Sequence, residues 1–338
     1  MPLVSQKPLV LVVGATGTTG KNITDAVLAS GNFKLVAIQR VGALIRPSSL
    51  SKPAVSELRA RGVEIRTGDL NDSIESLRQS LEGVDILVST IAVWAISQQR
   101  DIIRAAKAAA VERVVPCDFG TPGGKGVRAV YDEKLGIHDL VKELGLPHTF
   151  IDVGWWMQLY LPLPLASKAP QQAKDMTWTI YEDGTARNLV TSNENIGKYV
   201  ARILADPRTV NQAVIVWEDE VSQEDAHALG ERLSNDGNTL KAKRIVTTKQ
   251  GLVAAASAAK EMLARDPSND MMNLALSWNQ VQISMNVLGE NTLENATQRL
   301  GYLDARGLYP DIVPLPFEEY AKQFYAMEDP GIIFSQRE

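Results

Sequence analysis

The stretch LVLVVGATGTTGKNITDAV, residues 9–27, decides the fold. Five apolar residues, Leu9 to Val13, run without a polar break and stop at Gly14. Such a run, closed by a glycine, reads as a strand buried on both faces of a parallel sheet. Gly17 and Gly20 follow at three-residue spacing, and a helical pattern begins. In that order the glycines have separate tasks. Gly14 permits a tight turn, Gly17 lets the main chain approach a pyrophosphate, and Gly20 brings helix against strand. The unpaired N–H groups at the helix start then favour phosphate. Gly14, Thr16, Gly17, Thr18, Thr19 and Gly20 are therefore candidate contacts for a dinucleotide. The spacing differs from G-x-G-x-x-G, and a ligand-free glycine turn would use the same residues. The sequence of strand, turn and helix carries the reading.

The second strand is expected at 34–39, KLVAIQ, ending at Arg40, twenty residues beyond Gly20. A site for NAD places an acidic side chain near there to hold the ribose 2′-hydroxyl. No acidic residue occurs between Asp25 and Glu57, whereas Arg40 and Arg46 do. A guanidinium holds a 2′-phosphate through paired charge-assisted bonds, where a carboxylate would repel it. The expected cofactor is NADP(H), with Arg40 as the main contact and Arg46 as a second; ordinary surface cations are the competing reading.

A chain of 338 residues accommodates two modest domains. A net charge of −5 leaves no footprint for nucleic acid or anionic membrane. One cysteine, Cys117, excludes an internal disulfide, and the three histidines lack metal-ligand spacing, so no metal is expected. No apolar run approaches the roughly 20 residues that span a bilayer. The expected location is cytoplasmic and the expected partner a small-molecule substrate, with a homodimer left open.

Strand patterns at 9–13, 34–39, 62–66, 84–90, 111–116 and 147–153 alternate with helical patterns near 20–30, 53–61, 72–81, 97–110 and 131–145. That alternation predicts an α/β, Rossmann-type doubly wound parallel sheet. After Trp155 it fails, and a Pro-, Ala- and Gln-rich excursion follows. A helix near 193–206 and a strand near 211–217 read as a return to the sheet. Further helical patterns near 222–234, 249–265, 273–285 and 316–327 suggest a smaller, mostly helical C-terminal substrate lobe. The expected division is 1–158 with 190–220 for the cofactor domain, and 159–189 with 221–338 for the lobe. Asp69, Thr90 and Ile91 follow strands, at the carboxyl edge facing the cofactor groove; Asp69 reads equally well as a turn carboxylate.

Two stretches can carry chemistry. The helix near Tyr131 reads YDEKLGIHDLVKELG. Ordinary short-chain dehydrogenases use Tyr-x-x-x-Lys, and Tyr131-x-x-Lys134 is one residue short. Lys134 alone, at the mouth of a cofactor cleft, can act as general acid or base; the rival reading is a solvated lysine on an amphipathic helix. Gly154-Trp155-Trp156-Met157, with Tyr160, ends the sixth strand and offers an apolar wall to a flat substrate. Interdomain packing explains either tryptophan as well, and strand alternation sends the two to opposite sides. Trp94 and Phe119 are further pocket candidates.

Together these features resemble the NmrA-like, isoflavone-reductase-like branch of the atypical short-chain dehydrogenases. The resemblance rests on Gly14-Ala15-Thr16-Gly17-Thr18-Thr19-Gly20, Arg40, Pro116-Cys117-Asp118-Phe119-Gly120 and Lys134 in its helix. Leu146-Pro147-His148-Thr149-Phe150 and Asn195-Ile196-Gly197 complete it. It covers about residues 8–218. It implies an NADPH-dependent reductase of phenylpropanoid-like aromatics, with Lys134 as proton donor or acceptor. The family commonly has Pro-Ser-Glu-Phe-Gly where Cys117 and Asp118 stand, Asp where Asn195 stands, and smaller residues than Trp155-Trp156. A non-catalytic NADP(H)-binding redox sensor of the NmrA type shares the same glycine loop and fold.

Overall fold

A computed structural model describes residues 8–30 and 40–331. In the first half, β1 (Leu9–Val13), α1 (Thr18–Ala29), β2 (Arg40–Ile45), α2 (Pro53–Ala60), β3 (Glu64–Thr67) and α3 (Ile74–Ser80) follow one another. They lead to β4 (Ile86–Ser89), α4 (Gln99–Ala108), β5 (Arg113–Val115), α5 (Ala129–Glu143) and β6 (Thr149–Asp152). All five residues of β1 are buried, as the unbroken apolar run requires.

The strands β3-β2-β1-β4-β5 form a parallel sheet. A single bridge, Val114 to His148, carries it on to β6. Beyond β6 lie β10 (Gln212–Ile215) and β13 (Leu303–Asp304), both parallel. The strand order reverses between β1 and β4, and that switch point opens a crevice at the carboxyl ends. This is a Rossmann-type doubly wound sheet. Arg113, buried in β5, ties the seam: its guanidinium donates to Thr149 Oγ1, to Thr209 Oγ1 at 2.7 Å and to the Leu204 carbonyl at 3.1 Å.

The second strand is described from Arg40 onward. The expected strand at 34–39 falls outside the described residues, and β2 begins at Arg40, opposite Leu9. Arg40 therefore starts the strand, at the edge away from the crevice. Arg46 follows its carboxyl end and is exposed.

The remainder comprises β7 (Trp155–Trp156), α6 (Gln171–Trp178), β8 (Thr179–Tyr181), β9 (Asn188–Thr191) and α7 (Asn193–Ala205), which packs on α1. After β10 come β11 (Asp219–Val221), α8 (Gln223–Leu233), α9 (Gly237–Ala242), β12 (Ile245–Thr247), α10 (Lys249–Arg265) and α11 (Asp270–Gln282). After β13 come α12 (Ala305–Leu308) and α13 (Phe317–Ala326). Two small sheets, β11-β9-β7 and β12-β8, support this lobe. Its core gathers Met157, Tyr160, Leu161, Val190, Met285, Phe317 and Phe324. The segment around β13, counted with the lobe in the sequence division, lies on the large sheet instead. Ala305 and Tyr309 pack in that sheet's core. Among the described residues no helix is long and apolar enough to cross a membrane.

Candidate active site

The glycine loop closes as its spacing demands. Gly14 has φ of +82°, and a Cβ there would fall 2.7 Å from the Thr90 carbonyl oxygen. A Cβ on Gly20 would strike the Gly14 carbonyl, so α1 starts hard against the turn. Gly17 is the N-cap of α1, without a side-chain cap and without an acid in the first turn. Thr16, Gly17 and Thr18 are exposed, whereas Thr19 is buried beneath them. Thr90 sits behind the loop, its hydroxyl donating to the Val13 carbonyl at 2.7 Å. Uncapped amides, close main-chain approach and a nearby exposed Arg46 fit a phosphate-bearing dinucleotide. Asp69 is a turn carboxylate: Oδ1 accepts from the amide and side chain of Asn71.

The second half of the site grows from the end of β5. Phe119 has φ of +39°, and this left-handed kink turns the chain back beside β6. Phe119 N donates to the Ile151 carbonyl at 2.9 Å, and Val153 N to the Gly120 carbonyl at 2.8 Å. Lys134, on the buried face of α5, donates from Nζ to the Asp118 carbonyl at 2.5 Å. Its ammonium lies beneath Gly120, where a Cβ would stand 3.2 Å from Nζ. His138, four residues on, contacts both Asp118 carboxylate oxygens at 2.9 Å from Nε2. Its ring stacks on Phe150, centroids 3.6 Å apart. So the lysine of this helix is a buried, oriented group, not a solvated one.

Cys117 is buried, with Sγ donating to the Ile91 carbonyl at 3.2 Å. Burial pushes its thiol up to about 12, which keeps it protonated and unreactive.

Asp152, at the end of β6, is 2% exposed. Its Oδ2 accepts from the Tyr302 hydroxyl at 2.9 Å, and Tyr302 lies 3.3 Å from the Tyr131 hydroxyl. Among the described residues Oδ1 has no partner. Burial first, then the charge of Asp118, pushes the carboxyl up to about 6 against the pull of Lys134, Tyr302 and Arg128. The Arg128 guanidinium lies 4.3 Å above the Tyr131 ring and donates to the Thr121 hydroxyl and carbonyl. The following loop is fastened to the lobe: Gly124 N donates to Glu290 Oε1 at 2.9 Å, and Ser284 Oγ donates to Glu290 Oε2 at 2.5 Å.

The pocket candidates separate. Trp155 packs toward the lobe, edge-on to Trp278 at 5.7 Å. Trp156 packs against the sheet core and donates to the Phe119 carbonyl at 3.3 Å. Phe119 itself is buried, and Trp94 stands in solvent, 78% exposed, on a short turn after β4. Met157 and Tyr160 do not line a cleft. The tight turn after β7 aims both inward, with Met157 fully buried and Tyr160 edge-on to Phe317 in the lobe core.

Sequence reasoning missed the Asp118–His138 pair and the Asp152–Tyr302 contact. An acid inside the buried strand TFID was a visible signal for the second. No local signal marked Tyr302, which is 150 residues away from Asp152.

The NmrA-like family profile matches residues 6–248. Asnovolin J 5′,6′-dehydrogenase of Aspergillus novofumigatus is 34% identical over 319 residues, covering 93% of this chain and 94% of that protein. Phenylcoumaran benzylic ether reductase Pyrc5 of Pyrus communis is 29% identical over 335 residues, covering 95% and 99%. The leucoanthocyanidin reductase–NADPH complex from Vitis vinifera matches with a TM-score of 0.72 at 21% identity, over 94% of this chain and all of that one. The chain belongs to the NmrA-like family.

Proposed function

We propose that this protein is an NADPH-dependent oxidoreductase that reduces a small aromatic or conjugated molecule, with Lys134 as its general acid. One observation carries the proposal: the Lys134 ammonium is buried and oriented at the carboxyl end of β5, beside the crevice that the glycine loop opens. The two relatives at 34% and 29% identity are named as a dehydrogenase and a reductase, which supports hydride chemistry in this frame.

The chain's residues divide the work. The turn Gly14–Gly20 and the start of α1 would hold the pyrophosphate, and Arg46 the 2′-phosphate. When bound, NADPH supplies a hydride from nicotinamide C4. Lys134 commits one N–H to the Asp118 carbonyl and keeps two for a substrate oxygen. It can therefore orient that oxygen and give it a proton as negative charge develops. The Asp118 N–Pro116 and Phe119 N–Ile151 main-chain bonds hold the peptide whose carbonyl orients the lysine, and His138 holds the Asp118 carboxylate. Trp155 and Trp278, packed edge to face, offer an apolar corner on the lobe side.

The test is NADPH consumption against aromatic ketones, enones and benzylic ethers, with NADP+ reduction by the corresponding alcohols measured alongside. Lys134→Met should abolish turnover and leave NADPH affinity within about twofold, as expected for a group acting in the transition state. Tight NADPH binding without turnover of any substrate would replace this reading with that of a redox sensor.

A further inference from the structure

The helix that carries Lys134 has no cap of its own. Arg128 stands at the N-cap of α5 and makes no side-chain bond to the first turn. Its guanidinium is committed to Thr121 and to the Tyr131 ring. Asp132, the acid of that turn, accepts from Gly126 N at 2.8 Å instead. The first N–H of the helix is satisfied from the lobe. Ala129 N donates at 3.0 Å to Gln280 Oε1 on α11, 151 residues later in the chain. Further along the lobe, Glu290 holds the loop that leads into α5, accepting from Gly124 N at 2.9 Å. Gly123 and Gly124 make room for it, since a Cβ on either would stand 3.0 Å from a Glu290 carboxylate oxygen. Between these two acceptors the chain winds through a π-helical turn, Ile283–Val287, whose Ser284 hydroxyl holds the other Glu290 oxygen.

The same segment carries part of the aromatic wall. Trp278 lies two positions before Gln280, a spacing that sends the two side chains off different faces of α11. Trp278 donates from Nε1 to the Tyr181 hydroxyl at 2.7 Å and meets Trp155 edge-on. Apart from Gln282, no residue of α11 is buried. The helix leans on α10 and on these side-chain contacts and is not sunk in a core.

We propose that Gln280 positions Lys134 for the reaction by capping the lysine's helix from the lobe. This rests on the reading of Lys134 as general acid. In an α-helix the amide of Lys134 bonds back to Val130, so the first turn is the lysine's footing. An N–H left without a partner there loosens the turn, and the ammonium loses its aim at the substrate oxygen. Because Trp278 and Gln280 share α11, a molecule seated against the tryptophan bears on the element that holds this footing. Gln280 acts through Lys134 and is a positioning residue.

Amide hydrogen exchange followed by NMR reads the cap in the ligand-free protein. In Gln280→Asn the side chain is one methylene shorter and does not reach Ala129. The Ala129 amide should then exchange about two- to tenfold faster, the net worth of one hydrogen bond. Gln280→Glu keeps an acceptor at a helix N-terminus, where negative charge is favoured, and should exchange as wild type does. Unchanged exchange in Gln280→Asn overturns the proposal. Steady-state kinetics separates positioning from mere support, using whichever aromatic ketone, enone or benzylic ether the wild type reduces. Gln280→Asn should lower kcat about 10- to 100-fold and keep KM for NADPH within about twofold. Gln280→Glu should recover kcat. An unchanged kcat in Gln280→Asn, or a loss that Gln280→Glu does not restore, overturns the proposal. Wild-type protein that consumes no NADPH removes the reductase reading and the catalytic part of this one with it, while the exchange contrast still decides the cap.

Discussion

Lys134 and His138 stand one turn apart on the same face of α5 and hold opposite ends of Asp118, the first its main-chain carbonyl and the second its carboxylate. The helix thereby fixes both the residue and the lysine that leans on it. Removing His138 leaves a buried carboxylate unpaired. His138→Leu should cost about 1–3 kcal/mol, the scale for leaving a buried acceptor without its hydrogen-bond partner. Thermal denaturation should show Asp118→Asn/His138→Leu recovering part of that loss, because the stranded charge is gone.

The arginines at the two ends of β2, Arg40 and Arg46, should behave oppositely. Arg46 follows the carboxyl end of the strand, and Arg40 begins it at the other edge. Arg46→Ala should raise KM for NADPH by about 10- to 100-fold, the equivalent of one charged hydrogen-bonded contact, and leave NADH unaffected. Arg40→Ala should change neither. An NADPH penalty confined to Arg40→Ala would reverse the assignment.

Asp152 makes stability depend on pH with a definite sign. Its carboxyl is raised in the folded protein to about 6 from an ordinary 3.8, so the native state binds the proton more tightly than the unfolded chain does. That stabilisation is complete below about 4 and disappears as pH rises through 6. The tighter proton binding is equivalent to roughly 3 kcal/mol. Asp152→Asn should therefore gain on wild type as pH rises from 4 to 7 in denaturant titrations. A constant difference across that range would contradict it.

Arg113 joins β5 to β6 and to the α7 end without touching the crevice. Arg113→Met should lose about 2–4 kcal/mol, mainly from hydroxyl and carbonyl groups left unpaired. NADPH affinity at 25 °C should hold. An affinity loss comparable to that of Arg46→Ala would tie the seam to the cofactor crevice.

The parts legible in the sequence are those whose signal is local. Leu9 to Gly20 states strand, turn and helix within twelve residues, and Gly14 and Gly20 meet the steric demands that their spacing implies. The alternation of two adjacent side chains suffices to send Trp155 and Trp156 to different cores. The pairing of VGALI with β1 is not legible, because register is a tertiary choice that local preference does not state. Met157 and Tyr160 escape the pattern because a tight turn after a two-residue strand redirects what alternation would aim at the cleft. Lys134 is visible as a motif, but its partner is a main-chain oxygen, which no sequence pattern displays.

The placement of Tyr302 has a consequence for how the molecule is made. The residue immediately precedes β13, the edge strand that closes the large sheet. Asp152 leaves the ribosome 150 residues earlier than the tyrosine whose hydroxyl it accepts. During synthesis the glycine loop and the first strands can dock while the chemical centre still lacks one wall. Completion is thus deferred until β13 has been made, and a chain released before that point would carry a finished cradle and a buried Asp152 without its tyrosine.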